Sequence, residues 1–523
     1  MTMTGQFTLT GTEPGLTGPA DRRDPRRWLV LGFLVTGFML TILNTTIVNV
    51  GIRVLTDPRR GLGATQTEIV WAVNAFTLLL GTLLVTWSTV GDRYGHRRVL
   101  LAGLGVFGLA AVGAAFSPSP GMLIFWQAVM GVGGAAIPAS TLAIITHVFA
   151  DGERPKAIGV WAASAGPAMA LGPIVGGALL DNFPWGAIFL VNVPIVLVVM
   201  AGVARYAPLA RSSRRDRLDP VGVLLSIAGI FLVIFGIMRG GSLGAWARWP
   251  VLVPIVAGFA VLGGFVLHAR RRERPALDVR LFGDRRFSAA ASVVALAFVG
   301  IFGVTLFVML YFQSVRQFSA LRTGLSVLPL AVGLAVFSPG APALARRFGP
   351  KVVVSAGMAA ATVCFFAYTL FDADSPLWQL MLIFFLQGAG MAHVISPATG
   401  IIMARVPREN AGMGSAVANL ARDVGGALGL AALGSVLAVS YRQHAEGVLS
   451  ALPAPVRQAA GDSIAATHAI AGRMGPGALR LLPAADTAFL SAMHTTAFVC
   501  GVLGFTGVCI AISGLPGRRA DTP

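Results

Sequence analysis

Windows of about twenty apolar residues recur along nearly the whole of this chain, and each is long enough to cross a hydrocarbon core of about 30 Å as a helix. A water-soluble fold cannot cover so many such runs. Of the 523 residues, 55% are hydrophobic and only 12% charged, with a mean hydropathy of +0.76, whereas soluble domains average about 25% charged residues. The chain is therefore expected to be an all-α polytopic membrane protein. Reading the apolar runs between charged and Pro/Gly punctuation predicts fourteen spans. They fall at 28–51, 69–90, 99–116, 121–148, 157–180, 186–206, 219–238, 249–268, 288–312, 324–344, 352–371, 377–404, 411–440 and 487–514.

The formal net charge of +18 raises the question of a nucleic-acid partner, and the placement of the charge answers it. With the N-terminus in the cytoplasm, basic residues favour the cytoplasmic segments by roughly 2.5 to 1, as the positive-inside rule requires. The excess charge is then topology and contact with anionic lipid headgroups, and no nucleic acid is expected. The polar stretch 1–27 carries no cleavable leader pattern and reads as a cytoplasmic tail, as does 515–523. Residues 441–486 read as a long outer loop whose Ala-rich pieces around 456–472 are short-helix candidates. The three cysteines, Cys364, Cys500 and Cys509, all sit in apolar runs and suit neither a disulfide framework nor a metal site. With only two lysines, Lys156 and Lys351, the composition points to a GC-rich bacterial genome.

Three stretches carry candidate function. "STVGDRYGHRRVL" (88–100) follows the second span: Gly95 permits a tight turn, Asp92 can cap a helix start, and Arg93, Arg97 and Arg98 can bind helix C-termini or lipid phosphate. A charged latch of this kind can be broken and remade as two helix bundles rock. A partial echo, "GAPALARRFGPKV" (340–352), suggests a second half on the same plan. In "GPAMALGPIVGGALL" (166–180), Gly166, Gly172, Gly176 and Gly177 are expected to bring a neighbouring backbone close, while Pro167 and Pro173 loosen the helix. Within the spans, Asp423 beside Arg422, and His393, are rare titratable groups near the midplane. An intramembrane acid is a functional candidate, as proton carrier or as counter-charge to a cationic substrate; its other reading is the neutralisation of a buried arginine.

The 88–100 loop resembles the signature loop of the major facilitator superfamily, departing at Ser88, Val90 and His96. The 166–180 segment resembles that superfamily's antiporter motif. With "PWGAIFLVNVP" (184–194), "RPALDVRLFGDRRF" (274–287) and "GALGLAALGSV", it is similar to the fourteen-helix drug:proton antiporter branch of QacA and EmrB type. The resemblance implies an N-terminal six-helix bundle (28–206), two linker helices with basic loops (207–287) and a C-terminal six-helix bundle (288–514). It also places a motif acid at Asn44, in "LNTTIVNVGIR", and a motif base at Gln127, in "WQAVMGVGGAA". Both charges are missing here. Losing one alone would strand an unpaired ion in the membrane, whereas losing both avoids that cost. Coupling is therefore expected to rest on Asp423 and His393 in the C-terminal half.

The expected function is a secondary active exporter in the plasma membrane, moving lipophilic organic molecules, cations among the candidates, outward in exchange for protons. Asn74, Phe76, Tyr311 and Gln313 are candidates for the substrate path. A facilitator without tight coupling and a transport-dead sensor are the alternatives. No catalytic triad, metal-ligand cluster, cofactor site or nucleotide loop is visible, so an enzyme or ATP-driven pump is not expected. The partners expected are a small lipophilic substrate and membrane lipids, with the chain a monomer.

Overall fold

Helix ends fall where the sequence supplies caps and breakers. The computed structural model describes residues 26–51, 54–55, 61–64, 66–150, 152–208, 219–243, 247–272, 278–407, 411–450, 452–461, 463–474 and 480–517. The tail before residue 26, the basic segment 209–218 and the last six residues lie outside these. Helices α1 (Arg27–Val50), α2 (Gln66–Tyr94), α3 (His96–Ala115) and α4 (Pro120–Val148) follow one another. Ser119 caps α4, accepting from the Met122 N–H, with Pro120 in the first turn, where its missing N–H costs nothing. Next come α5 (Arg154–Ala163), α6 (Ala165–Asn182), a single turn at Ala187–Leu190, and α7 (Asn192–Tyr206). The α5–α6 break at Ser164 lies one turn before Pro167, whose ring nitrogen cannot donate back to Ala163.

Helices α8 (Pro220–Leu243) and α9 (Trp249–Arg271) form an antiparallel pair. They are followed by α10 (Arg285–Leu310), which runs into a π-turn at Tyr311–Val315, then α11 (Ala320–Phe337), α12 (Ala341–Phe348), α13 (Pro350–Ala367) and α14 (Leu377–Ala404). Asp284 and Ser319 cap α10 and α11 through the N–H groups of Arg286 and Arg322. After them, α15 (Ala411–Leu428), a π-turn at Gly429–Leu433 and α16 (Gly434–Leu449) make one long rod. Two short helices, α17 (Ala454–Gly461) and α18 (Ile464–Met474), precede the final α19 (Leu482–Gly514).

Two halves share one packing plan. In the first, α2 and α3 pack on α4; in the second, α11 and α13 pack on α14. The echo in sequence has a backbone counterpart. Gly95 between α2 and α3 has φ 95°, and Gly349 between α12 and α13 has φ 90°, a conformation only glycine adopts without strain. The halves meet through α2 and α4 on α15, α5 on α14, and α6 on α11. The α8–α9 pair is inserted at one side, with α8 on α2 and the π-turn after α15. The apolar window of α9 is only 17% buried, so it is the outermost helix of the pair.

Twelve helices among the described residues are long and apolar enough to span a membrane, or thirteen if Arg322–Phe337 and Ala341–Phe348, bent by 54°, make one span. The expected span 157–180 is divided between α5 and α6 and is not among them. The expected outer loop is also shorter than 441–486. Helix continues through Leu449 and resumes at Leu482, because the helix-forming Ala-rich sequence is not interrupted at Tyr441. The remainder carries α17 and α18, tied down where Tyr441 Oη meets Thr467 Oγ1 at 2.7 Å.

A central cavity and an interhelical latch

The latch loop places its acid against the other half of the molecule. Asp92 Oδ1 accepts from His96 Nε2 at 2.9 Å and from the backbone N–H of Gly412 at 3.2 Å. Gly412 is in the first turn of α15, so the carboxylate faces the positive end of that helix dipole. A Cβ at Gly412 would sit 2.6 Å from Ser88 Oγ and 2.8 Å from Asp92 Oδ1, which explains why the approach needs glycine. Of the basic residues of the loop, Arg97 binds a helix C-terminus as expected, donating to the Ala204 carbonyl within its own half. Arg93 stacks on Tyr94 at 5.2 Å, and Arg98 is exposed.

Close to the latch the halves are clasped a second time. Ser415 Oγ and Asn419 Nδ2 of α15 donate to the Pro138 carbonyl of α4 at 2.9 and 3.3 Å. A Cβ at Gly159 of α5 would meet the Ser338 carbonyl at 2.6 Å. The small-residue face of α6 is also an interface, and it serves two neighbours. A Cβ at Gly166 would sit 2.8 Å from the Ala331 Cα of α11, whereas Gly172 and Gly176 face Thr46 and Ile47 of α1 at 2.0 and 2.8 Å. Gly177, expected on that face, has nothing within 4 Å of its Cβ position: one residue past Gly176, it points about 100° away. Pro173 lies in α6, and its side chain is outside the described residues.

Asn44 and Gln127 come together. Asn44 Nδ2 donates to Gln127 Oε1 at 3.2 Å, and both side chains are buried. Asn44 Oδ1 and Gln127 Nε2 have no partner among the described residues. Along α15, Arg422 Nε bonds Asp423 Oδ1 at 2.9 Å, with each side chain 12% exposed. His393 is not brought to this pair. Its Nδ1 bonds the Ala389 carbonyl at 2.7 Å and its ring lies 5.8 Å from that of Phe337.

Between the halves lies a small cavity of about 20 Å³, lined among others by Phe38, Trp161, Phe298, Thr399, Asn419 and Arg422, with room for about one water. Phe38 and Trp161 stack at 4.3 Å, and the Arg422 guanidinium lies 5.0 Å from the Phe38 ring centre. The lining differs from the expected substrate path. Phe76 is packed under Gly131 and Gly134, Tyr311 is buried with its Oη on the Asp372 carbonyl at 2.8 Å, and Gln313 is exposed. Asn74 is half-buried on α2 and does not line the cavity. Aromatic residues in spans carry no sequence mark separating cavity from core, so Phe38, Trp161 and Phe298 were not distinguishable beforehand; Arg422, a cation within a span, was.

Two helical halves with a cavity at their junction, a latch at one end and a small-residue helix between them define a membrane carrier of the rocking-bundle kind. The chain belongs to the Major Facilitator Superfamily, whose family model matches residues 29–430. Its relatives include the multidrug efflux pump LfrA of Mycolicibacterium smegmatis, 32% identical over 508 residues, which cover 96% of this chain and 98% of that one. The methyl viologen resistance protein SmvA of Salmonella typhimurium is 31% identical over 80% of this chain and 83% of its own. The puromycin resistance protein pur8 of Streptomyces alboniger is 34% identical over 79% and 82%. Among solved structures, the human organic anion transporter MFSD10 superposes with a TM-score of 0.61 at 12% identity, covering 93% of this chain and all of that one; it shares the fold.

Proposed function

We propose that this chain is a multidrug efflux transporter that carries lipophilic organic molecules out of a bacterial cell, with Asp423 as its proton-coupling group. The observation that supports export is the match to LfrA along nearly the whole of both chains. In this reading the helices make fourteen spans, α5 with α6 and α11 with α12 each counting as one bent span. The halves 28–206 and 288–514 rock about the cavity, α8 and α9 are inserted between them, and both termini lie in the cytoplasm. The latch end is the cytoplasmic end.

Coupling through the C-terminal half follows from what each site can titrate. Asn44 and Gln127 hold a hydrogen bond but no exchangeable charge. Asp423 is a carboxyl within the membrane whose second oxygen, Oδ2, is buried and has no partner among the described residues. The chain needs no cofactor in this reading, because the proton gradient supplies the work. The ion pair with Arg422 favours one second reading, in which Asp423 only neutralises the arginine and the protein is an uncoupled facilitator. Proteoliposomes with an imposed pH gradient separate the two, using methyl viologen and puromycin, the compounds named for two relatives, as cargo. Coupled export requires Asp423→Asn to abolish gradient-driven accumulation and Asn44→Ala to leave it intact. Equal accumulation in wild type and Asp423→Asn refutes the coupling role.

A further inference from the structure

Helices α2 and α15 run antiparallel in contact, and buried polar side chains of both occur from the membrane interior to the latch, with the apolar Leu84, Val85 and Ala416 also buried there. The register is set at both ends. A Cβ at Gly81 of α2 would sit 3.9 Å from the Asp423 Cβ, and at the other end Ser88 and Asp92 meet Gly412. Gly81 to Ser88 is two helical turns, and Gly412 to Asp423 three, so Asp423 is about 11–16 Å from the latch along this seam. Between them lies Asn419, 1% exposed, and Ser88, 2% exposed, stands at the latch end beside Gly412. Asp423 Oδ2, Asn419 Oδ1, Ser88 Oγ and His96 Nδ1 are all buried without a hydrogen-bond partner among the described residues.

Buried polar atoms left without protein partners are the groups that hold water in a membrane protein interior. One such atom is an exception needing little explanation; four of them, counted from the carboxyl itself through Asn419 and Ser88 to the latch histidine, mark out a line. The inserted helix α8 closes the seam on its outer side: a Cβ at Gly81 would meet Ile234 Cδ1 at 3.0 Å, and Val233 and Ile237 cluster with Ala431 beyond α15. The Asp423 end of the line is thereby covered by α8, while Asn419 borders the cavity on its other side and donates to the Pro138 carbonyl of α4.

We propose that the α2–α15 seam is the route by which the proton passes between Asp423 and the latch end, with Asn419 and Ser88 as relay positions and Asp92–His96 as its gate. The proton leaves Asp423 as the carboxylate pairs with Arg422, moves along water held by Asn419 and Ser88, and reaches solvent when the Asp92–Gly412 bond opens. Among the described residues, the charged and titratable groups around the gate include Asp92 and His96 themselves, His147 of α4, whose ring is 6.4 Å from that of His96, and Arg154 of α5, whose charge bears on His147. This inference rests on the reading of Asp423 as the coupling acid.

The test uses the purified full chain in nanodiscs and no cargo. The infrared band of a protonated carboxyl that Asp423→Asn removes is followed in time after a pH jump. Asn419→Leu and Ser88→Val plug the seam with apolar groups and are expected to slow that band's change tenfold or more. Ser88→Thr adds the same bulk but keeps a hydroxyl, and is expected to restore the rate to within about threefold of wild type. Rates within twofold of wild type in both apolar variants would overturn the seam and leave Asp423 as a titrating group. So would a Ser88→Thr variant as slow as Ser88→Val, since bulk alone would then account for the effect. If no Asp423-dependent band exists between about pH 4 and 9, the coupling reading itself fails and the route falls with it.

Discussion

Removing both partners of the Arg422–Asp423 pair should cost clearly less stability than the two single removals added together. The two groups bond at 2.9 Å and are each 12% exposed, so neither is well solvated once its partner is gone. Unit charges at about 4 Å attract by roughly 4 kcal/mol at an effective dielectric constant near 20. Each single variant forfeits that attraction and leaves an ion facing the buried surroundings, and such losses run at about 3–5 kcal/mol. Arg422→Leu leaves a carboxylate that can be relieved by taking up a proton; Asp423→Asn leaves a guanidinium that cannot be relieved so. The second should therefore be the costlier. The double variant Arg422→Leu/Asp423→Asn buries no charge, so its loss should fall short of the sum of the singles by about 2–3 kcal/mol. Denaturant unfolding of the four proteins in one detergent gives this coupling directly. Additivity within about 0.5 kcal/mol would show the two groups energetically independent and would refute the argument from burial.

The glycine face of α6 makes a paired prediction. Gly172→Ala places a Cβ 2.0 Å from Thr46 Oγ1 and should destabilise by about 1–3 kcal/mol through overpacking, whereas Gly177→Ala, with open space around it, should stay within about 0.5 kcal/mol; thermal unfolding compares them. Asp92→Ala removes the acceptor of the Gly412 N–H, a charged hydrogen bond of about 1.5–3 kcal/mol, and should shift the population towards an open latch end by tenfold or more. Spin labels at the exposed Arg98 and Phe348 would read that shift as a longer distance, and an unchanged distribution would discount the latch. At the foot of α8, burial pushes the Asp219 carboxyl up, but the Gly222 N–H at 3.0 Å and His268 at 3.0 Å outweigh it and hold the group below its usual range. A carboxylate held low adds stability that is present above its unfolded pKa of about 3.9 and lost as pH falls through the lower folded value. Asp219→Asn should therefore lower stability at neutral pH and flatten the acid limb below about pH 4; an unchanged limb would refute it.

Much of the architecture is legible because a membrane interior allows the backbone so few solutions. Runs of apolar residues must be helices there, and glycine at 95 and 349, each before a basic or proline-led helix start, announces two halves with the same turn. Boundaries failed where local chemistry was permissive: nothing at Tyr441 stops a helix, and in 157–180 Pro167 marks a loosened helix without showing that it is divided at Ser164. The adjacency of Arg422 and Asp423 in the chain made their pairing readable. That of Asn44 and Gln127, 83 residues apart, came from a shared motif and depth.

The sequence by itself determined that this chain crosses a membrane repeatedly, that twelve of the expected segments are long and apolar enough to do so, and that its few intramembrane polar groups are the places to look. Only the tertiary structure decided that Phe38 and Trp161, from different helices, stack beneath Arg422, that Phe76 and Tyr311 belong to packed core, and that Asp423 turns towards Gly81 and the inserted helix. The reason is that lipid is as apolar as a protein interior. A spanning helix therefore needs no polar face, its apolar residues look alike whether they meet lipid, core or cavity, and only the packing of neighbouring helices tells them apart.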